Sequence, residues 1–213
     1  MRQAPPINTV ENIDCMEMLK KCPDKHFDLA IVDPPYGQSW GNLYQITSGR
    51  TDLLQKHFEQ ARKWDMKPPR EYFDELKRVS KRQIIWGYNY FTEFLGSTND
   101  LIVWDKEITG NENFLRFEIA YCSFNTTKII KARKETGETK EHPTQKPIKL
   151  YKRLLKEFAA AGDLILDTHV GSGSSIVACI EGGFDYYGCE IDKDYYDAAM
   201  KRINKAFRKY ELF

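Results

Sequence analysis

Short apolar runs alternate with amphipathic segments of helical period along this chain of 213 residues. Each run has the length of a strand buried on both faces, and strands that alternate with helices predict an α/β fold with a mainly parallel sheet. The predicted strands are 27–32, 83–86, 101–104, 164–167 and 184–191, with 117–124 and 126–130 predicted to pair as neighbours. The predicted helices are 70–80, 147–160, 174–181 and 192–210.

Size and composition favour one domain that lies outside membranes. Hydrophobic residues make up 41% of the chain, enough for a large core, yet no apolar run approaches a membrane span. Residues 1–12 lack the basic-then-apolar pattern of a signal peptide, so we expect a soluble intracellular protein. The five cysteines are odd in number and scattered, which predicts reduced thiols rather than disulfides or a zinc site.

The run from Asp33 to Gly37 reads D-P-P-Y-G and directly follows a predicted buried strand. A stiff Pro-Pro turn explains the run by itself, but in α/β sheets ligands bind at the carboxyl ends of strands. The Asp33 carboxylate and the Pro34 carbonyl are both acceptors, and together they can take the two hydrogens of an exocyclic amine. Pro35 stiffens the turn, and Tyr36 offers an aromatic face on which a base can stack.

A second motif begins at Asp167 and reads D-T-H-V-G-S-G-S-S, between a predicted strand and a predicted helix. Gly171 and Gly173 let the backbone approach a ligand closely. Glu190 ends the next predicted strand about 20 residues on, where nucleotide-binding folds place the acid that binds ribose hydroxyls. A dinucleotide site is the alternative, but Ile176 replaces the third glycine of that fingerprint, and no P-loop is present.

These motifs resemble those of the DNA methyltransferases that methylate exocyclic amines. D-P-P-Y resembles their catalytic motif, whose Asp form is typical of adenine N6 enzymes and whose Ser form is typical of cytosine N4 enzymes. The segment at Asp167 is similar to their cofactor motif L-D-x-F-x-G-S-G-T-T, with His169 at the Phe position and Ser174 beginning the pair that replaces two threonines. Catalytic motif first and glycine turn last is the permuted order called the β class.

The resemblance spans about residues 10–200 and implies a Rossmann-like methyltransferase fold that binds S-adenosylmethionine. It implies that Asp14 lies near the cofactor adenine, although Asp14 also suits a helix N-cap. Residues 142–147 read H-P-T-Q-K-P, a family motif that lies against the methionine end of the cofactor, so Lys146 is expected near the cofactor carboxylate. The expected catalytic residues are Asp33, Pro34, Pro35 and Tyr36; the expected cofactor-binding residues are Asp14, Lys146, Asp167, His169, Gly171, Gly173, Ser174 and Glu190.

The predicted substrate is double-stranded DNA with the target base flipped out, although the net charge of +1 neither requires nor excludes DNA. We expect one catalytic domain over residues 1–213, a small target-recognition insertion at about 105–141 and a flexible loop at about 37–69. The expected DNA-binding residues are Lys128, Lys131, Arg133 and Lys134. A homodimer, a partner restriction endonuclease and the cytoplasm of a prokaryotic or phage-infected cell fit this reading.

Other readings use the same residues. Cytosine N4 methylation shares the chemistry, and RNA or protein methylation would use a similar Pro-Pro-aromatic pocket. A catalytically silent DNA-binding protein would bind without turnover, and a nucleotide-dependent oxidoreductase would need the complete glycine fingerprint. Cytosine C5 methylation needs a nucleophilic cysteine, usually in Pro-Cys, whereas no cysteine of this chain follows a proline.

Overall fold

The computed structural model describes residues 2–37, 66–108, 116–133 and 145–210. Within these residues one eight-stranded sheet has the order β1-β8-β7-β2-β3-β5-β4-β6, and every strand except β5 runs in the same direction. The predicted α/β fold with a mostly parallel sheet is confirmed. The strands are β1 (Thr9–Glu11), β2 (Phe27–Val32), β3 (Ser80–Trp86), β4 (Leu101–Asp105), β5 (Phe117–Cys122), β6 (Thr127–Lys131), β7 (Leu164–Asp167) and β8 (Asp185–Cys189).

Helices cover both faces of the sheet. Alternate residues of β2 enter two separate apolar clusters, because successive side chains of a strand point to opposite faces. The first three helices pack on one face and the last three on the other, and none of the helices in the described ranges is long and apolar enough to cross a membrane. The helices are α1 (Cys15–Lys21), α2 (Arg70–Val79), α3 (Thr92–Leu95), α4 (Ile148–Phe158), α5 (Ser174–Gly182) and α6 (Lys193–Tyr210), with a 3₁₀ turn at Tyr88–Tyr90.

The predicted helix boundaries agree with the structure to within about two residues, because the expected capping groups are present. The Asp14 carboxylate accepts the backbone N–H of Met16 at 2.9 Å and caps α1. The Asp192 carboxylate accepts the N–H groups of Asp194 and Tyr195 at 2.9 and 3.1 Å, at the start of α6.

The predicted pairing of the strands at 117–124 and 126–130 is wrong. β4 lies between β5 and β6 and pairs with both. The connection passes around the start of β4, where the Asp100 carboxylate accepts the N–H of Thr126 at 3.0 Å. β4 is central because Ile102 and Trp104 are buried, whereas the polar, exposed sequence of β6 suits the edge of the sheet.

Five neighbouring strands, β1, β8, β7, β2 and β3, therefore point the same way, and their carboxyl ends together form the carboxyl edge of the sheet. The residues that follow them include the motifs singled out in the sequence. Since β5 runs in the opposite direction, it begins at this same edge. The topology thus brings segments far apart in the sequence to one surface, where α/β folds bind ligands.

Candidate active site

The Asp33 carboxylate follows β2 and is held by two side chains of the protein. The Tyr36 hydroxyl donates to Oδ1 of Asp33 at 2.5 Å, and the Lys146 ammonium donates to Oδ2 at 2.5 Å. Pro34 and Pro35 lie between Asp33 and Tyr36 in the sequence; Pro34 is buried and Pro35 is half-buried. One donor on each oxygen fixes the plane of the carboxylate, so Asp33 presents its remaining lone pairs in a defined direction.

The ring of Tyr36 is part of an aromatic cluster built by the segment after β3. Tyr90 stacks on Tyr36 with ring centroids 4.8 Å apart, and Phe91 meets it edge-on at 5.9 Å. Gly87 has a φ of +75°, and a Cβ added there would lie 2.3 Å from Cε1 of Tyr36. The sequence did not reveal that Gly87 makes room for the Tyr36 ring. Trp86, expected in the core, is fully buried.

Asp167 ends β7 and organises the glycine turn. Its Oδ1 accepts the backbone N–H of His169 at 3.0 Å, and its Oδ2 accepts the hydroxyl of Ser175 in α5. Burial raises the pKa of Asp167 to about 7. Because the Asp167 side chain accepts hydrogen bonds from both the turn and α5, it stabilises the turn from inside. Ser175 belongs to the sequence motif, but the sequence had not assigned it a role.

Gly171 and Gly173 both adopt positive φ, 52° and 78°, and Gly173 caps the start of α5. The Gly171 N–H donates to Oε2 of Glu190 at 2.8 Å, and Oε1 of Glu190 accepts the Asp192 N–H at 2.9 Å. A Cβ placed at Gly171 would find its nearest neighbour at 3.8 Å, so the backbone there borders open space. The turn at Gly171 and the Glu190 carboxylate together form a cradle. This cradle fits a nucleoside-type ligand that approaches the turn closely and has hydroxyls within reach of Glu190.

Ser174 and Asp14 are two further residues predicted to bind the cofactor. Ser174 is buried at the first position of α5, with its hydroxyl 3.1 Å from that of Ser172 and 3.3 Å from the Arg202 guanidinium. Asp14 is exposed at the start of α1, close enough for its charge to act on His169. The N-cap role of Asp14 is confirmed, and its cofactor role stays a prediction, as does that of Ser174.

His169 is linked to α2 through a hydroxyl chain that the sequence did not reveal. The Tyr72 hydroxyl lies 2.7 Å from Oγ1 of Thr168, which lies 2.9 Å from Nδ1 of His169. The Tyr72 and His169 rings also meet edge-on, with centroids 5.4 Å apart. Burial lowers the pKa of His169 to about 4, so the imidazole is neutral at physiological pH.

The folding stability should show this neutral histidine. The pKa of His169 is lower in the folded state than its ordinary value of about 6.5. The contribution of His169 to the free energy of unfolding is therefore complete above pH 6.5, and it is lost as the pH falls because the unfolded state takes up the proton more readily. The His169→Phe variant restores the residue usual in the family motif. We expect its free energy of unfolding, relative to that of the wild type, to increase by about 2 kcal/mol between pH 7.5 and pH 5. Urea unfolding of both proteins at the two pH values measures this change.

Asp167 changes the stability with pH in the opposite direction, and the comparison of His169→Phe with the wild type cancels this effect. That carboxyl has a raised pKa, so its contribution is present below its unfolded pKa and is lost as the pH rises towards 7. Both proteins contain Asp167, and the lost hydrogen bond to Thr168 shifts the variant equally at each pH. A stability difference that stays constant from pH 7.5 to 5 would contradict the neutral state of His169.

The structure places Lys146 against the Asp33 carboxylate. Its ammonium lies 2.5 Å from Asp33 and 3.0 Å from Oε2 of Glu118, and the side chain is buried. The expected contact of Lys146 with the cofactor carboxylate stays a prediction. Glu118, on β5, was missed in the sequence, although a carboxylate within an otherwise apolar strand was a signal. Of the H-P-T-Q-K-P motif, residues 142–144 lie outside the described residues.

The predicted DNA-binding residues do not form one group. Lys131 and Arg133 are exposed at the carboxyl end of β6, on the edge of the sheet that carries the D-P-P-Y motif. Lys128 instead forms an ion pair with Glu157 near the end of α4, towards the opposite edge. Lys134 lies outside the described residues, as do most of the predicted loop at 37–69 and much of the predicted insertion at 105–141.

A family model described as DNA methylase matches residues 49–201, more than two thirds of the chain. The chain belongs to this DNA methylase family. The match begins after the D-P-P-Y motif, so the assignment of that motif in the methylase depends on its sequence and its place at the end of β2. The matched residues include the glycine turn, Glu190 and Lys146.

Relatives and solved structures agree with the family. The methylase is 24% identical over 237 residues to the type II methyltransferase M.HpaI of Haemophilus parainfluenzae, covering 93% of this chain and 74% of that protein. It shares its fold with M1.HpyAVI in complex with SAM (TM-score 0.66, 16% identity, 92% and 98% of the two chains). It also shares the fold of the cytosine-N4-specific PvuII DNA methyltransferase (TM-score 0.60, 12% identity, 94% and 91%).

The predicted fold and cofactor are thereby confirmed for the family: the sheet matches methyltransferase structures, and the methyl donor is S-adenosylmethionine. All five cysteines carry free thiols, and burial raises the pKa of Cys15 to about 12. A raised pKa favours the protonated thiol over the nucleophilic thiolate.

Proposed function

We propose that this methylase transfers a methyl group from S-adenosylmethionine to the N6 amine of adenine in double-stranded DNA. The observation that carries the proposal is the Asp33 carboxylate, which is held by Tyr36 and Lys146 on the strand next to the one that leads into the glycine turn. Aspartate as the first residue of the D-P-P-Y motif is typical of adenine N6 enzymes.

In this proposal the protein contributes acceptors and positioning. Asp33 and the Pro34 carbonyl accept the two amine hydrogens, which favours a localised lone pair on a nitrogen that is otherwise conjugated with the ring. The base has to leave the duplex to reach them, and the aromatic cluster of Tyr36, Tyr90 and Phe91 supplies the surface beside which it stacks. Rate acceleration comes mainly from orientation and fixed electrostatics.

The residues of the glycine turn fit the methyl donor. Glu190 would take the ribose hydroxyls, the Gly171 backbone would allow close approach, and Asp14, Asp167, His169, Gly173 and Ser174 would shape the remaining wall. When bound, S-adenosylmethionine supplies a methyl group activated by the positive charge of its sulfonium. Lys131 and Arg133 would contact DNA phosphates at the same edge of the sheet.

Glu190→Gln tests the cofactor assignment. The amide keeps one acceptor but loses the charge and the second acceptor, so we expect the Kd for S-adenosylmethionine to rise about 10- to 100-fold. Isothermal titration calorimetry measures this constant. Glu157→Gln, which changes an exposed glutamate on α4, is the matched control and should bind like the wild type. Equal Kd values for Glu190→Gln and wild type would remove Glu190 from the cofactor site.

Methyl transfer to mixed-sequence duplex DNA, followed by mass spectrometry of the nucleosides, tests the function itself. N6-methyladenine is the expected product. N4-methylcytosine would keep the fold, the cofactor and the role of Asp33 but replace the target base. Unmethylated DNA, from folded protein that binds the cofactor, would overturn the proposal and move RNA, protein or a silent binding role to the front.

A further inference from the structure

A chain of four charges with alternating sign begins at the catalytic motif. Asp33 contacts Lys146 at 2.5 Å, Lys146 contacts Oε2 of Glu118 at 3.0 Å, and Oε1 of Glu118 contacts Lys106 at 2.7 Å. Four separate segments contribute: the turn after β2 supplies Asp33, the segment before α4 supplies Lys146, β5 supplies Glu118, and the residue after β4 is Lys106. The antiparallel direction of β5 places Glu118 at the sheet edge where Asp33 lies.

Lys146 is the centre of this chain and is charged. Its side chain is only 3% exposed. Burial acts to lower its pKa, but the carboxylates of Asp33 and Glu118 outweigh burial, and the pKa lies above the ordinary lysine value. Burial likewise acts to raise the pKa of Glu118, and Lys146 and Lys106 reverse that effect. A buried charge this closely paired has a fixed position, because moving it would leave its partners uncompensated.

The Lys146 ammonium donates to the Asp33 carboxylate and to the Tyr36 hydroxyl, and it forms an ion pair with Glu118. An ammonium has three N–H groups. Asp33 and Glu118 lie within 3.0 Å of the ammonium nitrogen, and the Tyr36 hydroxyl lies at 3.4 Å. A cofactor carboxylate would be a third negative group on this single cation. The geometry therefore favours a role for Lys146 towards Asp33 over a role towards the cofactor.

We propose that Lys146 and Glu118 are positioning residues of the methyl-transfer reaction: Lys146 orients the Asp33 carboxylate, and Glu118 holds Lys146 in place. The inference rests on the proposed function and applies whether the amine belongs to adenine or cytosine. A carboxylate oxygen has two lone pairs, so Asp33 can accept from Lys146 and still accept an amine hydrogen. With Lys146 on one oxygen and Tyr36 on the other, the carboxylate does not rotate away from the amine.

A double-mutant cycle of Lys146→Met, Glu118→Gln and the pair tests this order of action. A misplaced Asp33 should lower kcat about 100-fold in Lys146→Met, and about 10-fold in Glu118→Gln. The double variant should be no slower than Lys146→Met, since Glu118 acts through Lys146. The Kd for S-adenosylmethionine should stay near the wild-type value in all three. Lys146→Arg, which keeps the charge, should recover part of kcat.

Controls separate positioning from folding. Lys152→Met and Glu181→Gln remove a more exposed ion pair on the same layer of helices and should leave kcat unchanged. Urea unfolding shows whether each variant is folded; the double variant keeps the charges balanced if Lys146→Met alone does not fold.

Several results would overturn the inference. A raised Kd for the cofactor in Lys146→Met, with kcat unchanged at saturating cofactor, would assign Lys146 to the cofactor instead. Strictly additive losses would show that Glu118 does not act through Lys146. Wild-type protein that forms no methylated nucleoside in DNA would overturn the proposed function and this inference with it, whereas an active wild type with fully active variants would overturn this inference alone.

Discussion

Asp33→Ala should lower methyl transfer to DNA on the order of 1,000-fold while cofactor affinity stays close to wild type. The reason is that the variant loses the acceptor aimed at the amine, and such preorganised electrostatic contacts are large contributors to catalysis. Apart from Lys146, the predicted cofactor residues lie at or after the ends of β1, β7 and β8, whereas Asp33 follows β2, so removal of the Asp33 carboxylate leaves the glycine turn and Glu190 in place. Single-turnover rates with labelled S-adenosylmethionine, together with calorimetric titration of the cofactor, measure both quantities.

The control for this prediction is Asp197→Ala, which removes an exposed aspartate paired with Lys193 on α6 and should be fully active. In Asp33→Ala the Lys146 ammonium keeps Glu118 as its partner, so the variant should still fold. Turnover near the wild-type rate in a folded Asp33→Ala protein would disprove the proposed mechanism.

Gly87→Ala should lower kcat about 100-fold through the displacement of Tyr36. The new Cβ would lie 2.3 Å from Cε1 of the Tyr36 ring, a distance at which the ring has to move. That movement would break the contact from the Tyr36 hydroxyl to Asp33 and disturb the stack on Tyr90. Misplacement of a catalytic group by about 1 Å costs rate on this scale. Steady-state kinetics on methylatable DNA measure the loss.

Gly96→Ala is the control for strain at positive φ, because Gly96 has the same φ of +75° and a Cβ there would meet nothing within 4 Å. Its ψ of −178° makes the strain of an alanine at least as large as at Gly87, whose ψ is 29°. Both variants are strained by the positive φ, at a cost of about 1–3 kcal/mol in stability. Only Gly87→Ala adds the collision with Tyr36. If the two variants lose equal activity, backbone strain and not the position of Tyr36 explains the loss.

The motifs were readable in the sequence because each is a local pattern with a local cause. Asp33 and Asp167 follow apolar runs of strand length, and Gly171 and Gly173 sit in a turn that requires positive φ. The N-caps Asp14 and Asp192 were predictable for the same reason, since a cap satisfies N–H groups a few residues away.

The pairing of β5 and β6 was not readable in this way. Both flank β4 because the burial of Ile102 and Trp104 favours a central strand, and short sequence separation had suggested a hairpin instead. Lys128 shows the same limit at the level of a residue: the sequence grouped it with Lys131, and the strand placed it beside Glu157 on the other edge.

The sequence by itself determined the α/β fold and the order of its motifs, because hydrophobic period, capping and turn geometry act over a few residues. Only the tertiary structure decided that Lys146 and Glu118 meet Asp33, and that Gly87 makes room for Tyr36. Those contacts join strands and turns that are distant along the chain, and they depend on strand order and direction, which are set by the burial of the whole sheet.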